Sequence, residues 1–324
     1  MKTILFRCDS SNKIGLGHLK RSLLLAKRLR SCEEELNIIF AVRALDGNIN
    51  EEIIKERFAL QLLETNKSKE LISLIKKIDA QLVILDSYEI SYEMEKKIFS
   101  KTDAKILSFD DMYKKHCSHI VLNHGIQATK KSYKNIINKK TTLLCGSEYT
   151  LLRDEFFTNY CSFIEKKSIA LILGGNDVFN LSTKIVKLLF NLDSSYKITV
   201  ITTRVNPYLE SLKKLKNINL LIDIDNIAKV LSSKEFVITA SGGTLFEVMA
   251  LRKKFININV VDNQNSIMDY LKNRGIDTTL LREDVSLKNL KKKIEYIKEN
   301  RIYPKLNLRF SKMKLAKKIL KEIK

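Results

Sequence analysis

The sequence predicts an α/β protein built from two Rossmann-like, doubly wound lobes that face a cleft. Short apolar runs alternate with helical patterns along the chain, which is typical of buried parallel strands joined by helices. The alternation occurs in each half of the chain, and 324 residues are enough for two domains of ordinary size. Because ligands of open α/β sheets bind at the carboxyl ends of the strands, we expect the site in the cleft.

The predicted elements follow the same order in both halves. In the first half the predicted strands are Thr3–Cys8, Asn37–Val42, Leu82–Ser87, Lys105–Asp110, His119–His124 and Thr142–Gly146. Helical patterns lie between several of them, including Leu19–Leu29 and Ser68–Ile78. In the second half the predicted strands are Ile169–Gly175, Lys197–Thr203, Asn219–Asp223, Phe236–Ser241 and Phe255–Val260. Each lobe is therefore expected to consist of βαβ units with right-handed crossovers.

These elements divide the chain into four segments. Residues 1–150 are expected to form the first lobe, and residues 151–167 an irregular hinge. Residues 168–303 are expected to form the second lobe. The basic segment 304–324 lies beyond the pattern of the second lobe, and its helix is expected to pack back on the first lobe.

The composition predicts a folded protein of a reducing compartment. Hydrophobic residues make up 44% of the chain, and its five cysteines form no CxxC pair, which favours free thiols in a cytoplasmic protein. Arg7 and Asp9 interrupt the first apolar run, so it is too short for a signal peptide. No apolar run approaches the length of a membrane span, and we expect no stable membrane insertion.

The net charge of +21 raises the question of nucleic-acid binding. The excess is mostly lysine, spread along the chain, and no zinc-finger spacing, arginine–aromatic cluster or RNA-binding aromatic motif accompanies it. Nucleic acid is therefore not an expected partner. An anionic small molecule or an anionic membrane surface would be attracted by the same field, and charge alone does not choose between them.

Three loops with glycines follow predicted strands and indicate a nucleotide site. They are Gly15–His18, Gly174–Asp177 and Ser241–Glu247. The third loop opens a helix whose backbone amides can hold a diphosphate, and Glu247, about one turn further on, could accept hydrogen bonds from two ribose hydroxyls. His18 stands at the mouth of a helix, where the residue pattern allows either a helix cap or a catalytic group.

Eight segments together resemble a known enzyme family. They are "RCDSSNKIGLGHLKR", "LVILDSYEIS", "KILSFDD", "HIVLNH", "YTLLRDEF", "LGGND", "SGGTLFEVMAL" and "VVDNQ". In residues, order and spacing they resemble the UDP-2,4-diacetamido-2,4,6-trideoxy-β-L-altropyranose hydrolases of bacterial pseudaminic acid biosynthesis. The resemblance extends from the N-terminus to about Gly275.

The resemblance implies a glycosyltransferase-B-like fold and a defined reaction. Water attacks the anomeric carbon of the UDP-sugar with inversion, and UDP and the free sugar leave without a metal or other cofactor. The family also implies a monomer. A glycosyltransferase of the same fold, which would transfer the sugar to another acceptor, is the alternative enzyme, and a basic adaptor for nucleic acid or membranes is the non-enzymatic one.

The resemblance also implies roles for individual residues. His18 matches the family's general base, and Tyr88 and Asn263 match a tyrosine and an asparagine of its active site. Each has a structural alternative: a helix cap for His18 and Asn263, and an aromatic at the edge of the core for Tyr88. The residues expected to bind substrate or UDP are Gly15, Gly17, Arg153, Gly174, Gly175, Asn176, Ile224, Ser241, Gly242, Gly243, Thr244, Glu247 and Gln264.

Two segments imitate metal sites, and no metal is expected at either. His116, Cys117, His119 and His124 lie close in sequence, but alternation along a strand would point His119 and His124 to opposite faces. The sequence "DID" ends a predicted strand, where Asp225 is expected to cap the next helix.

Overall fold

The computed structural model describes residues 2–160 and 163–323, with Asn263 described in its backbone only. The chain divides into two compact units. The first contains residues 1–151 and 309–324, and the second contains residues 152–308. Each unit is described below by itself.

The described part of the first unit forms a parallel sheet of seven strands in the order β3-β2-β1-β4-β5-β6-β7. Its strands are Lys2–Cys8 (β1), Leu36–Val42 (β2), Ala59–Leu62 (β3), Leu82–Asp86 (β4), Lys105–Phe109 (β5), Ile120–Asn123 (β6) and Thr142–Cys145 (β7). Its first four helices are Gly17–Cys32 (α1), Glu51–Lys55 (α2), Ser68–Lys77 (α3) and Tyr92–Lys101 (α4). The strand order reverses between β1 and β4, which is the position where doubly wound sheets bind ligands.

The described part of the second unit repeats this plan with six parallel strands in the order β10-β9-β8-β11-β12-β13. Its strands are Glu165–Ile172 (β8), Lys197–Thr202 (β9), Ile218–Ile222 (β10), Lys234–Ala240 (β11), Lys254–Asn259 (β12) and Thr279–Leu281 (β13). Its helices are Leu181–Leu192 (α5), Leu209–Lys213 (α6), Ile227–Ser232 (α7), Gly243–Ala250 (α8), Asn265–Lys272 (α9) and Leu287–Glu299 (α10). The two sheets confirm the predicted α/β class.

The central strands are buried because helices cover both faces of each sheet. In β1, Ile4 and Phe6 contribute to one apolar cluster and Leu5 to another on the opposite face. In β11, Phe236 and Ile238 enter the main core of the second unit. Residues buried on both faces explain why these strands read as continuous apolar runs.

The C-terminal helix Lys314–Glu322 (α11) belongs to the first unit and packs on α1. Leu315, Ile319 and Leu320 are buried on one face of α11. Each such side chain contributes about 1.5–3 kcal/mol when fully buried. Lys314 also pairs with the carboxylate of Glu148. The apolar face therefore attaches α11 to the first unit, although four of the nine residues of α11 are lysines.

Two edge strands, β3 and β13, were absent from the sequence-based prediction. β3 has four residues, three of which are exposed, and β13 has only three residues. Both lie at an edge of their sheet, where a strand pairs with a neighbour on one side only and is less buried than a central strand. Neither segment therefore has the apolar run that marks the central strands. In the described part of the chain, no helix has both the length and the apolar character of a membrane span.

Candidate active site

His18 lies in the first turn of α1, after a tight turn that follows β1. The turn closes with reciprocal backbone hydrogen bonds between Ser11 and Gly15, and Gly15 has a φ of +85° that glycine adopts without strain. Gly17 is the first residue of α1 and is exposed. The two glycines thus allow the chain to enter α1 one residue before His18.

His18 pairs with a buried carboxylate and does not cap α1. Its Nδ1 lies 2.6 Å from Oδ1 of Asp86, the last residue of β4. Leu16 occupies the N-cap position of α1, and no side-chain capping bond is present among the described residues. β1 and β4 are neighbours, so the carboxyl end of β4 meets the start of α1 at the point where the strand order reverses.

Asp86 is fully buried and binds two further side chains. Arg21, one turn after His18, donates from Nε to Oδ2 at 2.7 Å and from Nη2 to Oδ1 at 2.5 Å. Ser22 donates from its hydroxyl to Oδ2 at 3.1 Å. Burial alone would raise the pKa of Asp86, but the charge and hydrogen bonds of Arg21, with those of His18, hold it far below its usual value. Asp86 is therefore a carboxylate.

The charge of Asp86 fixes the position of the proton on His18. A carboxylate only accepts hydrogen bonds, so a nitrogen 2.6 Å from it must carry the proton. Nδ1 of His18 is then the donor, and in the neutral ring Nε2 is left as the proton acceptor. A carboxylate behind Nδ1 also stabilises the ring when Nε2 takes up a proton.

Tyr88 completes a ring of contacts around His18. Its aromatic ring meets the imidazole edge to face, with 4.7 Å between the centroids, and 44% of the residue is exposed. The hydroxyl of Tyr88 donates to Oδ2 of Asp111 at 2.7 Å, and the same oxygen lies 3.3 Å from Nη1 of Arg21. Tyr88, Asp111 and Arg21 therefore connect back to Asp86 and His18.

A second imidazole, that of His124 directly after β6, lies beside this ring. Its Nε2 is 3.4 Å from Nη1 of Arg21. Burial and the charge of Arg21 lower the pKa of His124 to about 4. His124 is consequently uncharged near neutral pH. Arg21 is charged at the same pH and pairs with the carboxylates of Asp86 and Asp111.

The loop between β5 and β6, which carries Asp111, is held by a buried ion-pair cluster. Nδ1 of His116 lies 2.7 Å from Oε1 of Glu95 in α4, and its Nε2 lies 3.7 Å from Oδ1 of Asp110. Glu95 also accepts from the backbone N–H of Cys117 at 2.6 Å. Burial lowers the pKa of His116, but Asp110 and Glu95 together raise it to about 9. The charged imidazole of His116 therefore attaches this loop to α4 through its ion pair with Glu95.

We expect this cluster to make folding stability depend on pH. The pKa of histidine in an unfolded chain is about 6.5, so His116 contributes its full stabilisation below that pH. The stabilisation is lost as pH rises through about 9, the folded pKa of His116. A shift of this size corresponds to roughly 3 kcal/mol at most. Denaturant unfolding of the wild type should show this decline between pH 6 and 10, and His116→Gln should lack it. An equal decline in both proteins would contradict the assignment.

In the second unit, the loop after β8 exposes Gly174 and leaves Gly175 and Asn176 half-buried. Gly174 has a φ of +88°, which favours glycine at this position. Asp177 ends the loop as a cap, because its carboxylate accepts from the backbone N–H groups of Leu181 and Ser182 at 3.0 and 2.8 Å. The cap fixes the loop against the start of α5.

The loop between β11 and α8 offers fewer backbone donors than the sequence suggested. The amide of Ser241 donates to the carbonyl of Ile258, and that of Gly242 donates to the carbonyl of Ala240. These two amides already have backbone acceptors, so the N–H groups left to a diphosphate at this loop are those of Gly243 and Thr244. Gly243 and Thr244 open α8, and N–H groups in the first turn of a helix have no acceptor within the helix.

Gln264 lies against this loop. A Cβ added at Gly242 would be 3.8 Å from Nε2 of Gln264, and Oε1 of Gln264 accepts from the N–H of Val260 at 2.8 Å. Asn263, its neighbour in the 3₁₀ turn Asp262–Gln264, has a side chain outside the described residues. Its predicted role stays a prediction.

Glu247 is buried in α8 and forms a bidentate ion pair with Arg153. Nε of Arg153 donates to Oε1 at 2.8 Å, and Nη2 donates to Oε2 at 2.9 Å. Arg153 precedes the 3₁₀ turn Asp154–Phe157 of the same unit. The structure thus brings together two of the predicted nucleotide-binding residues.

The segment around Ile224 corrects one prediction. Ile224 is half-buried between β10 and α7. Asn226, rather than Asp225, caps α7, because its side chain accepts from the N–H of Lys229 at 2.9 Å. Aspartate is a good helix cap, but α7 begins at Ile227, one residue later than a cap at Asp225 requires.

The described residues contain no cluster of three or more potential metal ligands. The histidines after β5 have separate partners. His116 binds Glu95, and Nδ1 of His119 accepts from the N–H of Ile106 at 3.0 Å while its ring stacks on Phe99. His124 lies beside Arg21.

Three residues of the first-unit site, Asp86, Arg21 and Asp111, were not named from the sequence, and His124 was named only in the segment that imitates a metal site. Asp86 and Asp111 follow apolar strands, and aspartate is common at such positions because it caps and turns the chain. The available signal was their position, since Asp86 ends β4 beside the point of reversal and Asp111 follows the end of the next strand, β5. Arg21 lies one turn after His18, on the same face of α1.

Solved structures share the fold over the whole chain. MurG from Acinetobacter baumannii aligns with a TM-score of 0.67 at 11% identity, covering 100% of this chain and 99% of its own. The UDP-GlcNAc 2-epimerase from Methanocaldococcus jannaschii aligns with a TM-score of 0.63 at 14% identity, covering 100% and 99%. This protein therefore has the glycosyltransferase-B fold, as predicted. No protein-family model matches the sequence.

A curated sequence gives the family. The UDP-2,4-diacetamido-2,4,6-trideoxy-β-L-altropyranose hydrolase of Campylobacter jejuni is 36% identical over 279 residues, which cover 85% of this chain and 97% of that protein. The chain belongs to this family of hydrolases, and the resemblance found in the sequence is confirmed.

Proposed function

We propose that this protein hydrolyses UDP-2,4-diacetamido-2,4,6-trideoxy-β-L-altropyranose to UDP and the free sugar, as a cytoplasmic step of pseudaminic acid biosynthesis. The observation that carries the proposal is the His18–Asp86 pair, in a chain that belongs to this hydrolase family. A hydrolase needs a base for water, and an imidazole backed by a buried carboxylate is suited to that task.

In the proposed reaction, His18 and Asp86 of the first unit have separate roles. Nε2 of His18 removes a proton from water while the water oxygen bonds to the anomeric carbon. The bond between that carbon and the UDP oxygen breaks, and UDP leaves with the electron pair. Because attack and departure occur on opposite sides of the carbon, the configuration inverts. Asp86 holds His18 through Nδ1 and stabilises the imidazolium that forms.

Tyr88 and Asn263 are proposed to fix the sugar or the water. Tyr88 combines an exposed ring with a hydroxyl held by Asp111, so it presents a rigid edge beside His18. The proposal for Asn263 rests on its match to the family's asparagine. Gly15 and Gly17 allow close approach of a ligand to the start of α1, because neither has a side chain and, among the described residues, no atom beyond the chain neighbours lies within 4 Å of an added Cβ.

The second unit is proposed to hold UDP. The N–H groups of Gly243 and Thr244 face the diphosphate at the start of α8, and the carboxylate of Glu247 binds the ribose. The backbone near Ile224 is proposed to meet uracil. The glycines and asparagine of residues 174–176, with Ser241, Gly242 and Gln264, line the same end of the sheet.

The proposed hydrolysis uses no metal, since UDP departure is assisted by helix amides. The test is incubation of the purified protein with the UDP-sugar and excess EDTA. UDP and free sugar should appear at the same rate as without the chelator. Absence of UDP release, or release only after a divalent metal is added, would contradict the proposal. A requirement for a sugar or lipid acceptor would favour a glycosyltransferase instead.

We expect Glu247→Ala to weaken the binding of UDP itself. Two hydrogen bonds from ribose to a carboxylate are lost, and each such bond contributes about 1.5–3 kcal/mol. Isothermal titration calorimetry should show a loss of roughly a hundredfold or more in affinity for UDP. His18→Asn is the matched variant, because His18 belongs to the other unit and its replacement should leave UDP affinity nearly unchanged. Unchanged UDP binding in Glu247→Ala would show that the ribose is held elsewhere.

A further inference from the structure

The ion pair of Glu247 has a geometry that bears on recognition of the ribose. Both nitrogens of Arg153 that contact Glu247 do so at hydrogen-bond distance, one to each carboxylate oxygen. Such a fork fixes the plane of the carboxylate as well as its position. The carboxylate is buried, with 11% of the side chain exposed, so the arginine also offsets the cost of desolvating its charge.

Arg153 reaches a second carboxylate on the same segment. Its Nη1 lies 3.3 Å from Oε1 of Glu155, and the same oxygen accepts from the backbone N–H of Ile227 at 3.2 Å. Ile227 is the first residue of α7, directly after the Ile224 segment proposed for uracil. One guanidinium thus connects the carboxylate proposed for ribose with the backbone proposed for the base.

The charge and position of Arg153 are themselves well defined. Although burial lowers its pKa, the hydrogen bonds and charge of Glu247 raise it above the usual value for arginine. Its guanidinium also lies over the ring of Phe156, 5.1 Å from the centroid. Arg153 therefore keeps its charge, and its contacts with Glu247, Glu155 and Phe156 hold its orientation.

We propose that Arg153 is a positioning residue that sets the carboxylate plane of Glu247 for the two vicinal hydroxyls of a ribose. The inference rests on the proposed function, because it takes Glu247 as the ribose ligand. A carboxylate has about four acceptor positions, so a bidentate arginine and two hydroxyls can share its two oxygens. With the plane fixed, the site recognises ribonucleotides and discriminates against 2′-deoxyribonucleotides.

The discrimination can be measured directly with UDP and 2′-deoxy-UDP. The wild type should bind UDP at least tenfold more tightly, because loss of the 2′-hydroxyl removes one hydrogen bond to a carboxylate. Arg153→Lys keeps the charge but lacks the planar fork, and the UDP preference should fall to about threefold or less. Arg153→Ala should lose the preference as well, with weaker binding of both nucleotides.

The control variant is Arg274→Ala. Arg274 lies in the same unit, and its guanidinium stacks on Tyr270, 3.7 Å from the ring centroid. This variant should retain the wild-type preference. Melting temperatures of all variants, with and without UDP, identify loss of folded protein, which would weaken both nucleotides equally and leave their ratio unchanged.

The possible outcomes distinguish the positioning role of Arg153 from the binding of ribose by Glu247. If the wild type binds both nucleotides equally, Glu247 does not hold the ribose as proposed. If the wild type prefers UDP and both Arg153 variants retain that preference, the positioning role of Arg153 is wrong and Glu247 binds ribose without it. Loss of preference in Arg153→Lys, with the preference intact in Arg274→Ala, is the result that the inference predicts.

Discussion

His18→Asn should lower kcat for the UDP-sugar by about 10²–10⁴-fold, because general-base catalysis contributes an acceleration of that order. Asparagine keeps a polar group of similar reach but cannot take a proton from water at neutral pH. KM should change little, since UDP is proposed to bind through the second unit. Steady-state kinetics of the two proteins at pH 7.5 would provide both values.

The control for this substitution is His119→Asn. His119 accepts a hydrogen bond from the backbone N–H of Ile106 and stacks on Phe99, and neither of these partners belongs to the ring of residues around His18. Per mole of folded enzyme, His119→Asn should retain wild-type turnover. Near wild-type turnover in His18→Asn would exclude His18 as the base, whatever the family resemblance implies.

Asp86→Asn should cause a loss of kcat approaching that of His18→Asn. Asparagine has no charge to stabilise the imidazolium, and its amide N–H₂ can turn toward Nδ1, which would leave the wrong nitrogen of His18 protonated. Because Asp86 also receives two hydrogen bonds from Arg21, the substitution should destabilise the first unit by about 3–5 kcal/mol. Turnover must therefore be measured at a temperature at which the variant is folded.

The double variant distinguishes a shared role from a separate one. If Asp86 acts through His18, the His18→Asn/Asp86→Asn enzyme should be scarcely slower than His18→Asn alone, because residues that act as a unit are not additive. Losses that multiply would instead show that Asp86 has an independent catalytic role. UDP affinity by calorimetry should be unchanged in all three variants.

The central strands were predictable because strands buried on both faces consist mainly of apolar residues. The strand Leu82–Asp86 and residues 236–240 of the strand Lys234–Ala240 are largely apolar on both faces, as strands buried inside a parallel sheet require. The edge strand β3 has no such requirement, because its outer side and most of its residues contact solvent. Its formation depends on pairing with β2, which a local pattern does not contain.

The candidate site was predictable in part. His18 and Tyr88 stand in segments that resemble the family, so the resemblance predicted both as site residues. The partners that define their chemistry are distant in sequence: Asp86 is 68 residues from His18, and Glu247 is 94 residues from Arg153. Such pairs form only when strands and helices assemble, and no local spacing indicates which arginine will meet which carboxylate.

Hydrolysis in water enriched with oxygen-18 tests the central claim most directly. After a short incubation with the UDP-sugar and rapid quenching, mass spectrometry locates the label in the products. Attack by water at the anomeric carbon predicts labelled sugar and unlabelled UDP. Label in the β-phosphate of UDP would place the attack at phosphorus and would contradict the mechanism proposed for His18.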